Sequence, residues 1–271
     1  MNTVSSFQIF AMIVNTTVCL ILFIGSYIWL RRNRDGLRRP FFWGMLTYVV
    51  IGVGMKYIFV SSIRESYPGI ADKNFVYSLL SGIMAAVTVE GGRYLILKYL
   101  MKKYDKQRDA LMYGAGYAGT EAFLFSGLSS FFGFTLARVI NSGSLDTMLA
   151  GVDPTAAQLI TTEVEKAYSN GAGTYFLISL ECITTFIIEV CLTILVFKAA
   201  RESGNVKYLG IAAGIHLVYA FLAQLPKSTI AIVIVEILIA AIAYVSYMFA
   251  KPVFGTIPKE ADSDLFWETL D

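Results

Sequence analysis

A carboxylate beside an imidazole can take a proton from water and pass it to a leaving group. A nearby guanidinium can aim the carboxylate or hold an oxyanion. This sequence carries those groups in unusual surroundings. Lys56, Glu90, Arg93, Glu121, Glu181, Glu189, Glu236 and the sole histidine, His216, all lie inside apolar runs. Glu90 and Arg93 are three apart in VEGGRY, which puts them on one helix face where they can pair. Gly91 and Gly92 between them admit a neighbouring backbone. Glu181 and Glu189 are eight apart, so on a helix they point roughly 80° from each other and can border one cavity without touching. Each group also has a plainer role. Glu90 and Arg93 can be a structural ion pair, and His216, among Ala212, Ala213, Gly214 and Ala220, a satisfied core residue. No serine or cysteine has an obvious base, which speaks against a covalent route. One histidine is thin for zinc, so the expectation is a site without metal. Glu90, Glu121, Glu181, Glu189 and His216 are the residues that would hold an ion if one bound.

The elements that must position these groups are membrane spans. The chain has 271 residues, 56% hydrophobic and 15% charged, against roughly a quarter charged in a soluble domain. Apolar runs long enough to cross a hydrocarbon core, roughly 20 residues, fall at 7–30, 41–61, 74–98, 110–138, 173–198, 206–225 and 229–250. Backbone groups in lipid must be satisfied within each segment, so every span is a helix. The expected fold is all-α, a polytopic transmembrane bundle of about seven helices in one domain over 1–251, with an acidic cytoplasmic tail over 252–271. A proline-led stretch in the longest connection, PTAAQLITTEVEKAY, suits a short helix outside the bilayer. Alternate loops hold fifteen basic residues on one side against five on the other. The positive-inside rule then puts the N-terminus outside and the C-terminus in the cytoplasm, as expected of a multi-pass protein of the cell membrane. MNTVSSFQIF lacks the basic start of a cleaved signal peptide, so the first span reads as retained. In this orientation Glu90 and Glu189 lie towards the cytoplasm, Glu121 and His216 near mid-depth, and Glu181 towards the outside. Lys56 can snorkel outward.

Other patterns exclude functions. A net charge of +2 without a basic stripe argues against nucleic acid as a partner. Cys19, Cys182 and Cys191 fall inside apolar runs and read as small packing residues. GAGYAG, from Gly114 to Gly119, matches a dinucleotide-binding string, but it lies in a span with no preceding strand. It reads instead as a small-residue face for helix packing, holding Glu121 in the interior.

Four motifs in order resemble the YhfC family of intramembrane peptidases, related to the CAAX-processing and bacteriocin-processing protease group. They are VEGGR over 89–93, GAGYAGTE over 114–121, ECITTFIIE over 181–189, and His216. The resemblance covers most of the chain. It implies a helical bundle with a glutamate-based hydrolytic site acting on a membrane-embedded or lipidated peptide, or on a single-span protein. Glu90 would activate water, His216 would assist or hold the oxyanion, and Arg93 would orient Glu90. Glu121 joins them as a catalytic candidate, with Glu181, Glu189 and Tyr117 in support.

The chain departs from the family pattern at Val89, Tyr117, Cys182, Glu189 and Ala220, where the family pattern has Glu, His, Arg, His and an acidic residue. An inactive relative that binds a membrane peptide, as an immunity or scaffold protein, is therefore the alternative. A small proton-coupled transporter, suited to intramembrane carboxylates, comes third. The charge bias makes one expectation directly testable. In a bacterial host, green fluorescent protein fused to the C-terminus fluoresces and alkaline phosphatase fused there is inactive. An active phosphatase at that end would reverse the orientation.

Overall fold

The computed structural model describes residues 3–32, 38–67, 69, 74–225 and 229–259. Most of those residues are helical, with no strand among them. Six helices are long and apolar enough to cross a membrane: α1 (Ser6–Arg31), α2 (Arg38–Ile63), α3 (Phe75–Leu100), α4 (Gln107–Asn141), α7 (Ala172–Arg201) and α9 (Ala231–Gly255). Between α4 and α7 lie two shorter helices, α5 (Leu145–Leu149) and α6 (Pro154–Ser169). The remaining predicted span is the shorter apolar helix α8 (Lys207–Ala223). Its 17 residues are at the lower end of what crosses a hydrocarbon core. The protein is a polytopic helical bundle.

Two helices organise the bundle. α7 packs against α1, α3, α4, α8 and α9, and Ile188, Leu192, Leu195, Val196 and Phe197 on it are sealed from solvent. The outer faces of the other spans keep their large apolar side chains exposed, among them Phe7, Val87, Phe125 and Ile237. In water such a belt would drive association. In a bilayer it faces lipid, and helix association rests on close packing and interhelical hydrogen bonds. α4 supplies the close packing. A Cβ added at Gly116 would meet the Phe41 carbonyl oxygen of α2 at 2.1 Å, and one added at Gly44 would meet the Tyr113 carbonyl oxygen of α4 at 2.1 Å. The two backbones cross where only glycine fits. Gly119 faces α1 at Phe23 and Gly114 faces α7 at Val190 and Thr193. The GAGYAG string thus turns its glycines to three different helices.

Several spans contain π-helical turns, at Ile21–Gly25, Tyr48–Met55, Ala86–Glu90, Ile96–Leu100 and Ala122–Gly127. Each widens the helix and rotates the residues beyond it relative to an ideal repeat. Two of these segments adjoin site candidates: Glu90 ends one, and Glu121 precedes another.

Polar contacts fix the ends. Arg201, in the last turn of α7, donates to the carbonyl oxygens of Leu97 (2.7 Å), Met101 (2.9 Å) and Tyr104 (2.8 Å). It caps the end of α3, where orphan carbonyls need donors. α6 begins at Pro154 behind Asp153, whose carboxylate accepts from the Thr155 amide at 2.9 Å. Its Val164 and Ala167 pack with Ala11, Met12 and Ala137 of α1 and α4. The expected tail starts inside the bundle. α9 continues through Pro252, which sits in its last turn, and Val253, Phe254 and Ile257 are buried. Gln107 at the start of α4 donates to the Phe254 carbonyl at 2.9 Å, so packing carries the core past the proline. Residues 260–271 of that tail, and the side chain of Lys56, lie outside the described residues.

The glycine crossing gives a test. Gly116→Leu forces side-chain atoms into the α2 backbone, a larger insult than the ~1–3 kcal/mol of ordinary overpacking. The variant is expected to lose the monodisperse peak in detergent size-exclusion chromatography. Gly173→Ala, where an added Cβ meets nothing within 4 Å, keeps the parent's profile. A well-folded Gly116→Leu protein would refute the close crossing.

Candidate active site

Three spans bring four ionisable side chains into one buried cluster. α3 contributes Glu90 and Arg93, α7 contributes Glu189, and α8 contributes His216. Glu90 and Arg93 are sealed completely and Glu189 almost so; His216 is 5% exposed. Arg93 Nη1 donates to both Glu90 oxygens, at 3.1 Å and 3.0 Å, and Nη2 donates to Glu189 Oε2. His216 Nδ1 lies 2.6 Å from Glu90 Oε1 and 3.8 Å from Glu189 Oε1. An ionised carboxylate only accepts, so the proton in the His216–Glu90 bond sits on the imidazole.

Tyr117 floors the cluster. The guanidinium of Arg93 stacks over its ring with 4.3 Å from Cζ to the centroid, a cation–π contact in a desolvated setting. Tyr48 of α2 meets Tyr117 edge to face at 5.3 Å. One turn earlier on α4, the Tyr113 hydroxyl donates to Thr47 of α2 at 2.8 Å. Tyr113 and Thr47 were not singled out in the sequence, although the i,i+4 spacing of Tyr113 and Tyr117 puts both rings on one face. Glycine contacts hold these elements together. Gly92 leaves room for Ile51 of α2, whose nearest atom would lie 2.3 Å from an added Cβ.

Of the sequence candidates, Glu90, Arg93, His216, Glu189 and Tyr117 converge. Glu189, expected as a supporting group, is a full member. Glu121 is half-buried, one turn beyond Tyr117 on α4. Glu181 is half-buried two turns before Glu189 and stands outside the cluster's ion pairs. Glu236 is buried on α9.

Glu90, Glu189 and His216 also form a possible metal group. Each can offer one ligand atom, with all three atoms within 4.8 Å of one another. Two carboxylates and one imidazole suit a zinc-like divalent ion, and catalytic zinc sites use three protein ligands with one position left open. The donor set fits. Arg93, bonded to both carboxylates, would then orient ligands from behind, as the outer partners of metal sites do. Glu121 and Glu181 are not part of this group.

The fold and the cluster together define a multi-pass helical membrane protein with a buried Glu–Arg–Glu–His centre. A family model described as YhfC intramembrane metalloprotease matches residues 18–242, and the chain belongs to that family. It is 28% identical over 245 residues to a Bacillus subtilis (strain 168) protein named "Uncharacterized membrane protein YhfC", covering 88% of this chain and 94% of that one. No solved structure matches significantly. The family description and the buried donor group do not support the expectation of a metal-free site.

The cluster's charge balance predicts its own fragility. Arg93→Leu leaves two carboxylates facing each other in an apolar interior, and losing one partner of a buried ion pair costs about 3–5 kcal/mol. A large fall in thermal unfolding midpoint in detergent is expected. Arg93→Lys should recover little, because a point charge cannot fork between two carboxylates. Adding Glu90→Gln and Glu189→Gln to Arg93→Leu should restore part of the loss. An unfolding midpoint unchanged by Arg93→Leu alone would contradict the pairing.

Proposed function

We propose that the protein is an intramembrane peptidase, with Glu90, Arg93, Glu189 and His216 as its reaction centre. Its substrate is a peptide embedded in the bilayer or anchored to it by lipid. The observation that carries this reading is the convergence of two carboxylates and the sole imidazole, from three spans, within 4.8 Å in a buried site. A charge at the bilayer centre costs about 2.5–3.5 kcal/mol even on lenient scales, and four ionisable groups gathered at one point suit chemistry better than packing.

Glu90, Glu189 and His216 are the residues that would hold a divalent ion. Such an ion supplies a Lewis acid for the scissile carbonyl and acidifies a bound water. The chain's own groups do the rest. Glu90 accepts the proton of water as its oxygen adds to the peptide carbonyl carbon. Glu90 then returns that proton to the departing amine as the carbon–nitrogen bond breaks, while His216, whose Nδ1–H lies 2.6 Å from Glu90, steadies the carboxylate between the two transfers. The products are a carboxylic acid and an amine. Arg93 bonds both carboxylates and aims them, and Tyr117 holds Arg93 in place from below. The surrounding apolar side chains limit bulk water, which strengthens each of these interactions.

One observation favours the alternative of an inactive peptide-binding, immunity or scaffold relative. Both oxygens of Glu90 are already engaged by Arg93 and one of them by His216, so the cluster satisfies itself. The same experiment separates the two readings. Purified protein is incubated in detergent with a panel of prenylated and single-span peptides, beside Glu90→Gln and a sample treated with 1,10-phenanthroline. A peptidase cuts as wild type and loses at least about a hundredfold in rate on Glu90→Gln, the usual scale for an acid–base group. Loss with the chelator assigns an ion to the centre, whereas full activity with it leaves the carboxylate–imidazole pair alone. Intact peptides in every sample, with all variants folded, would hand the lead to the binding reading.

A further inference from the structure

A second buried cluster of reactive groups takes no part in this chemistry. Cys19 of α1 and Cys182 of α7 are 163 residues apart in sequence, yet their sulfurs lie 3.7 Å from each other, in van der Waals contact. Both are buried, and both are free thiols. Cys191, the third cysteine, packs in a different cluster. Cys19 stands near the middle of α1 and Cys182 in the first half of α7, with Leu22, Ala122 and Ile178 around them.

The pair is held in register rather than left loose. Asn15, one turn before Cys19, donates to Ser126 at 3.1 Å and Ser130 at 2.7 Å, and accepts from Ser179 at 3.0 Å. Ser179 is three residues before Cys182. This buried network pins α1, α4 and α7 together one turn from the sulfurs. Behind Cys19, an added Cβ at Gly127 would lie 2.8 Å from the Cys19 Cβ, so α4 leaves that side little slack. A disulfide needs sulfurs at about 2.05 Å, so closure brings the two sulfurs, 3.7 Å apart, nearer by roughly 1.7 Å.

We propose that Cys19 and Cys182 are a redox-active dithiol, oxidised within the bilayer by a lipid-soluble quinone to a disulfide that staples α1 to α7. One S–S bond forms and two S–H bonds break. The two electrons and two protons reduce the quinone to its hydroquinone, and a dithiol reductant reverses the reaction. The depth of the pair selects the oxidant: the lipid keeps polar oxidants away, while a quinone partitions into hydrocarbon. The staple acts on the helix of the reaction centre, because Glu189 lies seven residues, about two turns, beyond Cys182 on nearly the same face.

The test uses the full chain in lipid nanodiscs, incubated with decylubiquinone, denatured, alkylated with N-ethylmaleimide and weighed by mass spectrometry. One adduct in place of three, with a peptide joining Cys19 to Cys182, is expected, and dithiothreitol restores three. Cys19→Ser and Cys182→Ser each take two adducts with or without quinone. Diamide, a membrane-permeant thiol oxidant, serves as a second probe. Three adducts after both oxidants, on protein that still elutes as folded, overturn the dithiol. A disulfide with diamide alone overturns the quinone as oxidant. A disulfide to a second copy of the chain, seen on a non-reducing gel, overturns the intramolecular staple.

Discussion

The forked bond of Arg93 to Glu90 and Glu189 is the interaction on which the rest of this structure depends. Two carboxylates and a guanidinium in an apolar bundle are tolerable only when each neutralises the others and their donors and acceptors are met. That demand sets the distance between α3 and α7 and fixes where α8 presents His216. It also explains the ring beneath. Tyr117 offers a guanidinium a π face where lipid or an aliphatic side chain would offer nothing.

The packing around the cluster serves the same end. α4 meets α2 backbone to backbone at Gly116 and Gly44, which brings the Tyr113 and Tyr117 face of α4 against Thr47 and Tyr48 of α2. Arg201 ties the end of α7 to the end of α3 through three carbonyl oxygens. The two helices that share the buried ion pair are therefore joined again near their ends, which leaves little freedom for the carboxylates to separate. Arg201 counts in the sequence only as one more basic residue flanking a span. In the folded chain it is a cap.

Family membership and the cluster meet at the same residues. VEGGR and His216 lie within the matched residues 18–242 and supply three members of the centre, and Tyr117 and Glu189 lie there too. Tyr117 is the ring under Arg93, and Glu189 is a second carboxylate paired with it. The two contacts are mutually consistent: one guanidinium stacks on the ring and reaches both carboxylates in a site with a single imidazole. That gives the centre a donor set of two carboxylates and one imidazole.

The spans, their order and the all-helical class were legible in the sequence. A run of about 20 apolar residues in lipid has one way to satisfy its backbone, so length and composition suffice. The Glu90–Arg93 pair was legible too, because i,i+3 spacing is local geometry. What only the tertiary structure decided is which distant groups meet. Glu181 and Glu189 sit on one helix with equal chemical claims, and Glu189 alone reaches Arg93. The outcome turns on the rotation of α7 against α3, and π-helical turns such as Ala86–Glu90 shift that rotation in ways no repeat in the sequence reports. The meeting of Cys19 with Cys182, and the start of the predicted tail inside the core, are decided in the same way. Each rests on contacts between segments far apart in the chain, where packing rather than local propensity chooses the neighbour.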